Sequence, residues 1–216
     1  RENLQNGYIR KIFSKGNLRM MYELFPTAVG FYKLDRKLSS KELTTIRNLK
    51  TTNNTFNRVS NNKNILKNKS LHKLKEFFND SLQDYVSKTI APTEACEYYI
   101  TNCWSNLNVD GESHFAHNHE NSLVSAVFYV NAVKDRDCIV FEKNTVKLLT
   151  PETIEFNTYN SHTWRFPVET NQLYIFPSDL IHSVPPVGEG ETRISISFNS
   201  FAHGEIGEIN LPKIKL

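Results

Sequence analysis

His117, His119, His182 and Arg193 are four side chains whose types and spacing describe a metal site beside an anion site. His117 and His119 stand two apart in HFAHNHENS. On extended chain, side chains at i and i+2 point the same way. His182 sits in FPSDLIHSVPP, a short segment bounded by Pro177 on one side and by Pro185 and Pro186 on the other. Eleven residues further on, Arg193 opens RISISFN, in which Arg193, Ser195, Ser197 and Asn199 alternate with Ile194, Ile196 and Phe198. That strand has one apolar face, and one polar face that carries a cation.

Imidazole suits Fe, Zn, Cu and Ni. A His-x-His pair can hold one such metal if a facing strand supplies a third ligand, and His182 is the candidate. His114, three residues before His117, is the reserve ligand or a partner that orients the ligands. Mononuclear Fe(II) oxygenases most often combine two histidines with one carboxylate. Here the i+2 position is histidine, and neither Glu120 nor Asp179 has the spacing to replace it. A three-histidine site lowers the negative charge at the metal by one unit. His72 and His162 read as polar residues without a partner pattern, and His203 follows the last strand.

An arginine pointing into a barrel must be paired. Two partners are open to Arg193: a core carboxylate, in an internal salt bridge, or the carboxylate of a bound molecule, which guanidinium grips with two parallel hydrogen bonds. Ser195, on the same face, can donate one more. Trp104 and Asn106 before the histidine cluster, Ser125 and Tyr129 after it, and Asn199 are further candidate pocket residues.

Three segments together resemble a known family: H-x-H-x-x-S-x-x-S-x-x-(F/Y)-Y-V (His117 to Val130), F-P-S-x-L-x-H-x-V-P-P (Phe176 to Pro186) and R-I-S-I-S-F-N (Arg193 to Asn199). They are similar to 2-oxoglutarate-Fe(II) oxygenases found in bacteria and tailed phages, including cyanophages, over roughly residues 100–200. The resemblance implies a double-stranded β-helix, Fe(II) held by His117, His119 and His182, and 2-oxoglutarate held by Arg193 and Ser195. It also implies O₂ as co-reactant, with ascorbate as a candidate reductant. His119 departs from the acidic residue of the wider superfamily. Residues 1–95 carry no such resemblance.

The implied activity is hydroxylation, coupling decarboxylation of 2-oxoglutarate to succinate with C–H oxidation. The substrate is not legible: peptidyl proline or another amino-acid side chain, a nucleobase and a small metabolite all stay open. Two other classes compete. A cupin-like three-histidine metalloenzyme that does not use 2-oxoglutarate would not need Arg193 opposite the metal. A non-catalytic jelly-roll binding module would hold no iron tightly.

The elements that must position these residues are short. Segments 96–107, 122–131, 137–142, 152–157, 163–168, 172–177 and 192–200 are β-branched and aromatic-rich, with polar or Gly/Pro breaks between them. That pattern predicts a sandwich or jelly roll, the double-stranded β-helix, with no helix–strand alternation to suggest a parallel sheet. Ahead of it, residues 22–34 read as a strand interrupted by Pro26 and Gly30, with Val29 to Leu34 joining a sheet edge. Ser39 and Glu42 form a capping box opening a short helix. Residues 51–69 read as an Asn-rich loop. Ser70 is expected to cap a helix running to about residue 88, with Leu71, Leu74, Phe77, Phe78, Leu82, Tyr85 and Val86 on its buried face. The tail is expected to add an edge strand. The expected layout is an N-terminal strand and helices (1–92) packed on a β core (93–216), in one integrated domain.

Composition sets the outer bounds. Hydrophobic content of 39%, with 14 Phe and 9 Tyr, supports a sizeable core. No run of about 18 apolar residues predicts a membrane span, and the N-terminal residues show no apolar signal-peptide core. Three cysteines without paired spacing read as reduced thiols. The expected compartment is the cytoplasm of a bacterium or a phage-infected host. The net charge of +3 is uneven: residues 1–75 hold 17 Lys+Arg against 4 Asp+Glu, or +13, and residues 76–216 hold 9 against 19, or −10. A basic N-terminal third leans toward an anionic partner and leaves nucleic acid open as one. The oligomeric state is not encoded in any pattern here.

Overall fold

The computed structural model describes residues 9–14, 17–144, 149, 151–207 and 210–216, with side chains from residue 23 onward. An antiparallel hairpin of β1 (Ile9–Ser14) and β2 (Asn17–Tyr22) comes first. Then follow β3 (Gly30–Lys33), α1 (Ser40–Arg47), β4 (Thr51–Asn53), β5 (Arg58–Ser60) and α2 (His72–Thr89). The β core comprises β6 (Cys96–Val109), β7 (His114–His117), β8 (Val124–Asn131), β9 (Cys138–Glu142), β10 (Thr163–Pro167), β11 (Gln172–Pro177), β12 (Ile181–Val184), β13 (Thr192–Ile206) and β14 (Ile214–Lys215).

These strands build two antiparallel sheets. The large one has the order β3-β11-β8-β13-β6-β5-β4, with β14 on the end of β13, and the small one β10-β9-β12-β7. This is the double-stranded β-helix expected from the strand pattern. Long strands that bridge two layers need side chains apolar on both faces, and β8 meets that demand, with Val124 to Val130 all buried. Its Val124, Ala126, Phe128 and Val130 face α2, while Val127 and Tyr129 face the small sheet. On β13, Ile194, Ile196 and Phe198 likewise face the helices, while Arg193, Ser195 and Ser197 face the barrel interior.

The helical layer follows its sequence closely. Ser39 Oγ accepts the Glu42 N–H, and the Glu42 carboxylate accepts the Ser39 N–H at 2.7 Å, so the capping box is complete. The apolar stripe Leu74, Phe78, Leu82, Tyr85 and Val86 of α2 is buried against the large sheet. β3 pairs with β11 at the sheet edge, as expected of Val29 to Leu34, and β14 is the expected edge strand of the tail. Gly204, at φ +105°, marks the end of the β6–β13 pair; a Cβ there would collide with the Ala95 carbonyl oxygen.

Three expectations are corrected, and two strands are added. Residues 152–157 form no strand: Ile154 and Phe156 are exposed, and a β-rich stretch with nothing to pack on has no reason to pair. Residues 51–69 are not one loop, because β5 pairs with β6 and β4 with β5, extending the large sheet through backbone bonds that their polar side chains do not betray. Ser70 does not cap α2. It lies in a 3₁₀ turn, Lys69–Leu71, where Asn68 accepts the Ser70 N–H, and the α-helix starts at His72. The short strands β7 and β12, which carry the histidines, were not among the expected segments.

Candidate metal and cosubstrate site

β7 and β12 are antiparallel neighbours, and His117 and His182 are directly opposed in their register. His119 lies just past β7, fixed by its backbone N–H donating to the Ser178 carbonyl at 2.8 Å. The three rings therefore converge: centroids of His117 and His182 are 4.3 Å apart, His117 and His119 5.0 Å, His119 and His182 5.1 Å. One nitrogen from each lies within 4.8 Å of the other two, the spread of a shared metal.

The ring nitrogens are already sorted. His117 Nδ1 is 2.8 Å from the Phe115 carbonyl oxygen and His182 Nδ1 is 3.0 Å from that of Leu180. A carbonyl only accepts, so each Nδ1 carries its proton, and Nε2 keeps the lone pair a metal needs. Burial pushes the His182 imidazole down to about 3, with His117 adding to it. Burial, then His117 and His114, push His119 down to about 4. Burial also lowers His117 against the raising effect of the Phe115 carbonyl. At neutral pH the three rings are uncharged. His114 stacks on His117 with centroids 4.2 Å apart, and its Nδ1 is buried without a hydrogen-bond partner among the described residues. It packs beside the triad and is not one of the converging three.

A cavity of about 40 Å³ runs inward from the histidines and is lined by Trp104, Asn106, His114, Tyr129, Arg193 and Ser195 among others. Trp104 meets the His119 ring edge-on. Asn106 donates to Ser197 Oγ at 3.1 Å and accepts from Asn57. Ser125 and Asn199 are not in the lining. Ser125 Oγ donates to Asn199 Oδ1 at 2.9 Å and is linked to Ser178, a buried polar chain tying β8, β13 and the turn before β12 together.

Arg193 is 2% exposed. It lines the cavity and is also in the internal salt bridge that the sequence left as its other reading. Its Nη1 donates to Asp137 Oδ1 at 2.8 Å and its Nη2 to the Pro185 carbonyl at 3.0 Å. Asp137 Oδ2 accepts the Val133 N–H at 2.7 Å. Asp137 was not foreseen: it lies 56 residues from Arg193 in a charged turn, and no periodicity links the two. The guanidinium has five N–H donors, two of them used in these bonds, so further donors remain for a ligand. Tyr129 Oη is buried and has no partner among the described residues. Burial pushes its hydroxyl up, so it stays protonated and is a donor facing the cavity.

The donor set fits the groups the sequence implies. Three neutral imidazoles suit Fe(II), and an orphaned hydroxyl beside a guanidinium suits a carboxylate.

The family described as "Putative 2OG-Fe(II) oxygenase" matches residues 102–199, which hold every one of these histidines and Arg193. Residues 102–199, a little under half of the chain, are similar to that family. Its cofactor is Fe(II) and its cosubstrate 2-oxoglutarate. Solved structures share the fold. An oxidoreductase of the 2OG-Fe(II) oxygenase family from Burkholderia pseudomallei is 12% identical with a TM-score of 0.54, covering 79% of this chain and 84% of its own. HygX from Streptomyces hygroscopicus, solved with nickel and 2-oxoglutarate, is 10% identical with a TM-score of 0.56, covering 81% and 82%. A prolyl hydroxylase from Trichoplax adhaerens, in complex with a hypoxia-inducible-factor peptide fragment, is 14% identical with a TM-score of 0.52, covering 80% and 83%. A search of curated protein sequences finds no match. No helix among the described residues is long and apolar enough to cross a membrane.

Proposed function

We propose that this oxygenase is a hydroxylase, with His117, His119 and His182 holding Fe(II), and Arg193, Ser195 and Tyr129 holding the far carboxylate of 2-oxoglutarate. Bound Fe(II) would supply the site where O₂ and 2-oxoglutarate react, giving succinate and CO₂ and placing one oxygen atom in a substrate C–H bond. The protein's part is orientation and exclusion of water. The carbonyls of Phe115 and Leu180 aim Nε2 of His117 and His182 inward. Trp104 closes the side of His119. Arg193, steadied by Asp137 and Pro185, and the unpaired Tyr129 hydroxyl mark the end where an anion is received. The convergence of three neutral imidazoles on a cavity that ends at Arg193 carries this reading. A peptide side chain or a small molecule would be the substrate, as in the solved relatives with a peptide fragment or hygromycin B bound.

The salt bridge to Asp137 and the small cavity favour one alternative, a three-histidine metalloenzyme that takes no 2-oxoglutarate. Anaerobic titration of Fe(II) followed by 2-oxoglutarate separates the two. A charge-transfer band in the visible region that needs both additions, is absent in His182→Ala and is followed by succinate on admitting O₂ supports the hydroxylase. Tight Fe(II) binding with neither band nor succinate gives the alternative.

A further inference from the structure

A second cavity, about 630 Å³, opens between the segment before β3, the end of the β9–β10 connection and β10 itself. It shares no lining residue with the histidine cavity. Phe141 and Leu180 form its inner wall. The Phe141 ring is 6.3 Å from that of His182, and the Leu180 carbonyl accepts a hydrogen bond from His182 Nδ1–H. One side chain therefore separates this cavity from the triad. Its size is that of a pocket for a small organic molecule.

Its walls are aromatic and wet. Trp164 and Phe166, two apart on β10, point the same way into it, and Tyr159 faces them from the connection. Trp164 stays 45% exposed and Tyr159 40%. Large aromatic surface left open in a concavity marks a place where something binds. The polar groups there are acidic. Glu23 accepts the Tyr159 hydroxyl at 3.3 Å, and Glu142 makes no ion pair among the described residues. Among the described residues of the lining, Lys143 is the one ammonium, set against two carboxylates. His162 Nε2 is buried there without a hydrogen-bond partner among the described residues. Aromatic faces beside an unmatched carboxylate are what an organic cation requires: the rings attract it through their quadrupoles and the carboxylate through a charge-assisted hydrogen bond.

We propose that this cavity takes the primary substrate and selects a protonated amine carried on an apolar body. The link to catalysis rests on the triad carrying out the oxygen chemistry proposed above; the cation selectivity does not. The basic N-terminal third, which leaned toward an anionic partner, gives this lining Glu23 to Thr27 and Val29 but, among the described residues, none of its Lys or Arg; Lys143 lies outside it.

Three probes of one shape test the selectivity: phenethylammonium, the neutral 2-phenylethanol and the anionic 3-phenylpropanoate, each titrated into the whole chain by calorimetry and saturation-transfer NMR. The expected order is ammonium, then alcohol, then carboxylate, with about a tenfold gap between the first two. Glu142→Gln should close that gap, and Trp164→Leu should weaken ammonium and alcohol together. His182→Ala should keep the order, since His182 lines the other cavity and carries none of the aromatic or acidic groups of this one. Equal affinities, a reversed order in wild type, or a gap that survives Glu142→Gln would overturn the proposal. The wild-type order needs no variant to fold. An intact order without the Fe(II)–2-oxoglutarate band would remove the oxygenase reading and leave the cation site standing; the band without the order would remove the cation site alone.

Discussion

Tyr129 and Arg193 end the same cavity but differ in what the folded protein asks of them. The Tyr129 hydroxyl is buried and unpaired. Removing a buried donor with no partner breaks no hydrogen bond and relieves a desolvated group. Tyr129→Phe is therefore expected to leave the urea midpoint unchanged or slightly higher. If the hydroxyl receives the far carboxylate, the same change loses a hydrogen bond to a charged group, worth about 1.5–3 kcal/mol, or roughly a ten- to hundredfold weaker 2-oxoglutarate affinity. Calorimetry with 2-oxoglutarate and a urea melt read the two halves separately. Arg193 behaves in the opposite way, because Asp137 holds it in a buried pair. Asp137→Asn strands a buried guanidinium, and breaking such a pair from one side costs about 3–5 kcal/mol. A double replacement, Arg193→Met with Asp137→Leu, should recover most of that stability in urea while 2-oxoglutarate binding stays lost. Recovery of binding as well would remove Arg193 from the anion site.

At the scale of elements, the start of α1 gives a pH signature. Burial pushes the Glu42 carboxyl up, but two bonds from Arg36 and the backbone and hydroxyl of Ser39 outweigh it, and the group settles at about 2 against an ordinary value of 4.5. A depressed carboxylate stabilises the fold fully above its unfolded value and loses that contribution as pH falls through the folded one. The loss should run from about pH 4.5 to about pH 2. It amounts to at most about 3 kcal/mol, because part of Arg36 lies in solvent and its charge is screened. Glu42→Gln should flatten that limb of the stability–pH curve; an unchanged limb would assign it to other carboxylates. This cap was legible because everything it needs lies within four residues, and the α2 stripe was legible because its period is local. β7 and β12 are different. With four residues each, and prolines around one of them, they carry no periodicity of their own and exist because each pairs with a neighbour. The histidines on them were legible through type and spacing alone. Asp137 was not, because its role depends on a partner brought near only by the closed barrel. Ser125 and Asn199 were placed on the correct strands, but the sequence could not tell a cavity wall from a buried hydrogen-bond chain.

Across the whole molecule, each central strand of the large sheet serves two cores. Phe128 and Phe198 meet Phe78 of α2 at ring-centroid distances of 5.4 Å. On the other face of the same strands, Tyr129 packs with Ile139 and Phe141 of the small sheet, and Ser195 and Ser197 line the histidine cavity. The α2 layer is thus on the far side of the sheet from the site, and its basic residues with it. The two cores share the central strands of the large sheet, so chemical unfolding should be a single transition. Phe78→Ala empties a fully buried ring site and should cost about 3–5 kcal/mol. It touches no group near the metal. A ligand that binds only the folded state stabilises it by an amount set by concentration and affinity alone, about 2.7 kcal/mol at a hundredfold excess over Kd. Anaerobic Fe(II) should therefore raise the unfolding free energy of wild type and Phe78→Ala by the same increment, and that of His182→Ala by none. Urea melts with and without Fe(II) measure all three. A smaller increment in Phe78→Ala would mean that the helical layer helps set the geometry of the triad across the sheet.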